Sequence, residues 1–223
     1  MSDAVLSHPI PARSPIVPGN TLAMAAVLAI WFAAVLVLGA NAAFVTPTGD
    51  PPVPILLGAT TPLITFFAAM GVSRSFRKFL LAADQRVMVA VQAWRTGGLG
   101  FLALYTHGIL PGFFAWPAGI GDIAIGVTAP LILLALVREP SFAASRTFVT
   151  WNVLGILDLV VAVGTGALSS GLATGLVGEV TTAPMAQLPL VLIPAYFVPV
   201  FVMLHAAALL QARRMRQEFS ERR

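Results

Sequence analysis

Residues 21–44 read TLAMAAVLAIWFAAVLVLGANAAF, a run with no ionisable side chain. About 20 apolar residues in a helix cross the hydrocarbon core of a bilayer. Lipid offers no partner for a backbone N–H or C=O, so the run is expected to be a transmembrane helix, whose backbone pairs with itself. Working outward, five more stretches have the same character: residues 54–72, 87–108, 118–137, 148–168 and 187–211. The loops between them are too short to hold a folded soluble domain.

The expected fold is therefore all-α: a polytopic membrane helix bundle of six transmembrane helices. Residues 1–20 form an N-terminal cytoplasmic segment, residues 21–211 the transmembrane domain, and residues 212–223 a basic cytoplasmic tail that extends the last helix into water. The composition agrees. Of the 223 residues 58% are apolar and 10% charged, and the mean hydropathy is +0.90. A soluble domain is about a quarter charged, so an ordinary soluble enzyme, a disordered chain and a disulfide-stapled domain are excluded. There is no cysteine, which removes thiol catalysis, iron–sulfur ligation and thiolate zinc sites.

The 13 basic residues give a net charge of +4. Twelve of them fall in alternate segments: Arg13; Arg74, Arg77, Lys78 and Arg86; Arg138 and Arg146; and Arg213, Arg214, Arg216, Arg222 and Arg223. Loops near 45–53, 109–117 and 169–186 carry none. The positive-inside bias then puts both termini in the cytoplasm and the protein in a plasma or inner membrane. This distribution accounts for the basic pI without nucleic acid. Ala40-Asn41-Ala42 has the small-x-small form of a signal-peptide cleavage site. The proline-containing segment before residue 21, with Arg13 alone as basic residue, makes a poor signal n-region, so the first span is expected to be retained. Residues 73–86 (SRSFRKFLLAADQR) read as an interfacial helix whose basic groups meet anionic headgroups.

Ionisable groups at membrane depth cost about 2.5–3.5 kcal/mol each on insertion scales. They are therefore expected to pair or to face a wet interior. Rise along the helices puts Arg95 roughly 12 Å and Asp158 roughly 15 Å from the cytoplasmic edge, so an Arg95–Asp158 ion pair is expected, as a structural pin or as a gate. Gln92 and Asn152 lie beside it. Small and polar residues recur at steps of three and four. These are Asn152, Gly155, Asp158, Ala162 and Thr165 in the fifth span, and Gln92, Arg95, Leu99, Leu102 and Thr106 in the third. The fourth carries Gly119, Asp122, Gly126 and Pro130, and the second Gly58, Thr61, Thr65 and Ala68. Such stripes suit close helix packing and a water-lined path equally.

Asp122 falls four residues from the outer edge of the fourth span, roughly 6 Å deep, level with Tyr105 and His107. These three are expected to form either a hydrogen-bonded cap or an outer proton or substrate site. His107 and His205 fall roughly 20 Å apart in depth, too far to ligate one haem. The remaining histidine, His8, is in the N-terminal segment, so no metal and no cofactor is expected. Pro184, Pro189, Pro194 and Pro199 punctuate APMAQLPLVLIPAYFVP at the start of the sixth span. In a helix, Pro194 and Pro199 free the carbonyls of Leu190 and Ala195. A helix broken at Pro189, Pro194 and Pro199 has the form of a transporter substrate or ion site.

Motifs such as G-x-S-x-G, H-E-x-x-H and Walker A are missing. The expected function is a small-solute or ion permease, proton-linked. The alternatives are a non-catalytic assembly subunit of a membrane complex and, further behind, an intramembrane lipid-modifying enzyme. Expected partners are the bilayer itself, with anionic headgroups at the basic loops, and a membrane protein or a second copy of the chain.

Overall fold

The structure, a computed structural model, describes residues 18–47, 49–172 and 180–221. The expected cytoplasmic N-terminal segment with His8 and Arg13, residues 173–179, and Arg222 and Arg223 lie outside them. The described residues are helical and contain no strand. Six helices are long and apolar enough to cross a membrane, as a multi-pass membrane protein requires.

The first span is α1 (Pro18–Ala40) and the second α2 (Val53–Val72). A short helix α3 (Arg74–Ala82) follows, with Ser73 Oγ accepting from the Phe76 N–H as its N-cap. Leu80 is buried, while Arg74, Arg77 and Lys78 remain on the surface. Such an amphipathic segment is suited to a membrane interface. The third span is composite. It runs as α4 (Gln85–Gln92), a 3₁₀ stretch Ala93–Gly98, and α5 (Leu99–Thr106). The fourth is α6 (Gly112–Arg138) and the fifth α7 (Arg146–Ala167), the latter N-capped by Ser145. The sixth opens with a π turn, Ile193–Phe197, and continues as α8 (Val198–Glu221).

Two boundaries differ from the sequence-based expectation, each for a local reason. The fourth span starts at Gly112 rather than 118: Pro111 precedes the first turn in extended conformation, and Pro117 is accommodated inside the helix. The sixth starts at Ile193 rather than 187. The Leu188–Pro189 peptide is cis, and residues 187–191 form a bend and turns before the helix. Pro189 therefore lies outside the span, Pro194 sits in the π turn and Pro199 in the first turn of α8. The expected mid-helix break is a proline-delimited start. The Leu190 carbonyl is taken up by the Ile193 N–H at 3.0 Å. At its other end α8 continues past Gln211 to Glu221, as the helical extension expected there does.

Two of the expected stripes face inward only in part. The six-residue 3₁₀ stretch advances the third span by about 20° more per residue than an α-helix. Gly98 and Phe101 are thereby turned into the bundle, while Leu99 and Thr106 point out. In α2 the buried positions are Ala59 and Phe66, and Thr61, Thr65 and Ala68 are exposed. The Thr65 hydroxyl donates to its own helix, to the Thr61 carbonyl at 2.9 Å, so it needs no interior partner.

Helix α1 touches the bundle along one edge. Trp31 and Phe32 meet Tyr196, and Gly39 lies against Leu188 and Val191. Its remaining face, with Leu22, Val27, Ile30 and Val37, is open, as a lipid-facing surface is. Ala40-Asn41-Ala42 forms a helix terminus. Ala42 is left-handed (φ 54°), the Ala42 N–H donates to Gly39 O and the Ala43 N–H to Leu38 O. That is the Schellman arrangement, and Asn41 Nδ2 adds a bond to Val37 O at 2.8 Å.

Candidate functional site

The third, fourth and fifth spans approach closely because glycines line their contacts. A Cβ on Gly126 would lie 2.4 Å from the Thr96 nitrogen, and one on Gly98 2.8 Å from the Gly119 oxygen. Gly121 leaves room for the Asp158 carboxylate and Gly155 for the His205 ring. The small-residue stripes of α6 and α7 thus make the space that a polar cluster fills.

Arg95 is the centre of that cluster and is 2% exposed. Its Nε donates to Asp122 Oδ1 at 2.7 Å, its Nη2 to Asp158 Oδ2, and its Nη1 to the Gly155 carbonyl at 3.2 Å. Nη1 also lies 3.2 Å from His205 Nε2. A guanidinium only donates, so His205 Nε2 accepts and the ring proton sits on Nδ1. That nitrogen is 2.9 Å from Asn152 Oδ1, and Asn152 Nδ2 in turn donates to the Phe148 carbonyl at 2.8 Å. One directed chain therefore runs from Arg95 through His205 and Asn152 to the backbone of α7. Trp151 packs edge-on against His205 with ring centroids 5.3 Å apart, and its indole N–H donates to Thr128. Gln92 is buried beside the chain. Its Nε2 reaches the Phe201 carbonyl at 3.4 Å, while its Oε1 has no partner among the described residues.

The Arg95–Asp158 contact expected from matched depths is present, and Gln92 and Asn152 are part of the same assembly. The outer cluster is not. Asp122 is bonded to Arg95 and not to His107. His107 is exposed, with Nδ1 2.8 Å from the Ala103 carbonyl of its own helix. Tyr105 packs edge-on against Trp116. The cause is the early start of α6, which puts Asp122 ten residues, about 15 Å, from the helix N-terminus instead of near its edge. The sequence reading sets the depth of His205 against that of His107 alone and gives it no partner in the site. With α8 reaching Glu221, the ring falls at mid-helix. The signals for both were the glycines at steps of three and four: Gly119 and Gly126 around Asp122, and Gly155 opposite His205.

Electrostatically the cluster sets one guanidinium against two carboxylates. With both ionised it holds one negative charge in excess, in surroundings where charge interactions are weakly screened. Asp122 also lines a cavity of about 130 Å³. The cavity begins among residues of the end without Lys or Arg, including Thr46, Pro47 and Thr182, and reaches inward between α2, α6, α7 and the π turn. Its walls include Ile55, Phe101, Phe114, Leu159 and Ile193. Among the described residues, Asp122 is the only charged one in its lining. Oδ2 of Asp122 accepts no hydrogen bond among the described residues. At the opposite end the chain is closed by polar ties: Gln211 Nε2 donates to the carbonyls of Leu80 and Ala83, and Arg216 to that of Ala144. Among the described residues no group of three or more His, Asp or Glu is arranged to hold a metal.

Residues 52–213 match the family model described as a domain of unknown function, DUF8737. The match covers most of the chain, which belongs to that family. It takes in α2 through most of α8, with every member of the polar cluster, and leaves out α1. No curated protein and no solved structure matches the chain.

Proposed function

We propose that this member of the family is a small-solute or ion permease whose transport is linked to protons, with both termini in the cytoplasm. The observation that carries the reading is the cavity that ends on Asp122, a carboxylate in a cluster with one uncompensated negative charge. Such a charge is neutralised by a proton or by a cationic solute, and the two compete for one site. That competition is the elementary requirement of coupling. Arg95 and Asp158 serve as the gate beyond the cavity floor. Gln92, Asn152 and His205 continue the polar path toward the basic end, which the positive-inside bias assigns to the cytoplasm. The well-satisfied Arg95–His205–Asn152 chain also favours a second reading, that of an assembly subunit in which the buried cluster only fixes helix register.

The test is proton flux. The purified chain is reconstituted in vesicles and flux under an imposed pH gradient is followed with an internal pH-sensitive dye, for the wild type and for Asp122→Asn. The permease reading expects flux in the wild type, reduced at least about tenfold by the substitution. Folded wild-type protein that passes no protons above protein-free vesicles refutes it and favours the subunit reading.

A further inference from the structure

We propose that the cavity ending on Asp122 binds a small organic ammonium ion with an apolar body the size of one aromatic ring. The inference names the solute class of the permease site and rests on that reading.

Three observations converge. The first is charge: among the described residues the single charged one in the cavity lining is a carboxylate, one oxygen of which none of them engages, in a cluster short of one positive charge. The second is the wall. A bare divalent cation takes about six to eight oxygen ligands, whereas the cavity floor offers one carboxylate. The hydroxyls of Thr46, Ser170, Thr181 and Thr182 and the amide of Gln187 belong to the loops and helix end at the cavity mouth. Around Asp122 the lining is apolar, and Phe101 and Phe114, packed edge-to-face with centroids 5.2 Å apart, bring two rings to it. Aromatic rings attract an ammonium group and also cover an apolar body. The third is size. An apolar cavity of about 150 Å³ takes up one benzene, and this one measures about 130 Å³. An ammonium group replaces water by a charge-assisted hydrogen bond to Asp122 Oδ2, with the body against Phe101, Phe114 and Ile55. A neutral analogue of the same shape keeps only the wall contacts.

The experiment is titration calorimetry on the full chain in detergent, with benzylammonium as probe and benzyl alcohol as the neutral comparison. Benzylammonium is expected to bind at least about tenfold more tightly than benzyl alcohol, the worth of one charge-assisted hydrogen bond. Asp122→Asn is expected to abolish that preference. Gly166→Leu provides a second variant. Gly166 lines the cavity, and a Cβ there meets only Phe114 ring carbons at 3.5 Å, so the larger side chain fills the space with the charge cluster intact. It is expected to weaken both ligands by at least about tenfold. Equal affinity for the two probes, or a preference that survives Asp122→Asn, overturns the inference. Proton flux without benzylammonium binding overturns it while leaving the permease reading standing. Binding without flux upholds the ammonium site and refutes the permease reading.

Discussion

Replacing Arg95 with methionine tests whether the cluster is held by charge balance. Methionine keeps most of the apolar stem and removes every donor. Four acceptors then lose their partner: Asp122 Oδ1, Asp158 Oδ2, the Gly155 carbonyl and His205 Nε2. Removing one member of a buried ion pair costs about 3–5 kcal/mol. The carboxylate side chains are 15% and 12% exposed, so some hydration is regained and the lower part of that range applies, about 3–4 kcal/mol. The sharper expectation is a reversal of sign. In the wild-type background, Asp122→Asn with Asp158→Asn strips the guanidinium of its counter-charges and destabilises. In the Arg95→Met background the same pair removes two uncompensated carboxylates and raises stability by about 1–2 kcal/mol. Reversible unfolding in mixed micelles, followed by tryptophan fluorescence, gives the four free energies. Trp151, in contact with His205, reports on the site itself. A loss under about 1 kcal/mol for Arg95→Met, or the same sign for the carboxylate pair in both backgrounds, refutes the argument; surface ion pairs behave that way.

Two further expectations concern backbone geometry and are read by the same unfolding assay. Gly126→Ala sets a Cβ against the backbone of Arg95 and Thr96 and should cost about 2–3 kcal/mol, the upper range for overpacking; Gly164→Ala, which meets nothing within 4 Å, should be neutral or gain up to about 1 kcal/mol from helix propensity. Ala42→Gly should raise stability by about 1 kcal/mol, because the left-handed conformation at φ 54° strains a residue with a Cβ.

The six spans were legible because lipid forces long apolar runs, and that signal survives boundary errors of several residues. The Arg95–Asp158 pair was legible for a related reason. Both helices start at the basic end, where the charged flanks mark the entry point, so their depths could be compared. Asp122 was misplaced because its depth was counted from a boundary that lacks such a mark. The Gly-Phe-Phe-Ala-Trp-Pro stretch before Asp122 reads as loop chemistry, yet it is helix from Gly112 on. The basic stretch after Gln211 reads as a helical extension of the sixth span, and α8 does continue through it to Glu221. The 3₁₀ stretch was invisible to a reading in steps of three and four, since that reading presumes α geometry throughout. The adjacent Gly97 and Gly98 were its only local sign.

That stretch has a mechanical consequence. A 3₁₀ turn is tighter and longer per residue than an α turn, with a rise of about 2.0 Å against 1.5 Å. Were its six residues, Ala93–Gly98, to pass into α geometry, the third span would shorten by about 3 Å. Its two halves would also turn through about 120° relative to each other. Translation and rotation are thus locked together as in a screw thread. Arg95, the sole cation of the cluster, is cut into that thread, so no axial movement of this span leaves its grip on the two carboxylates unchanged.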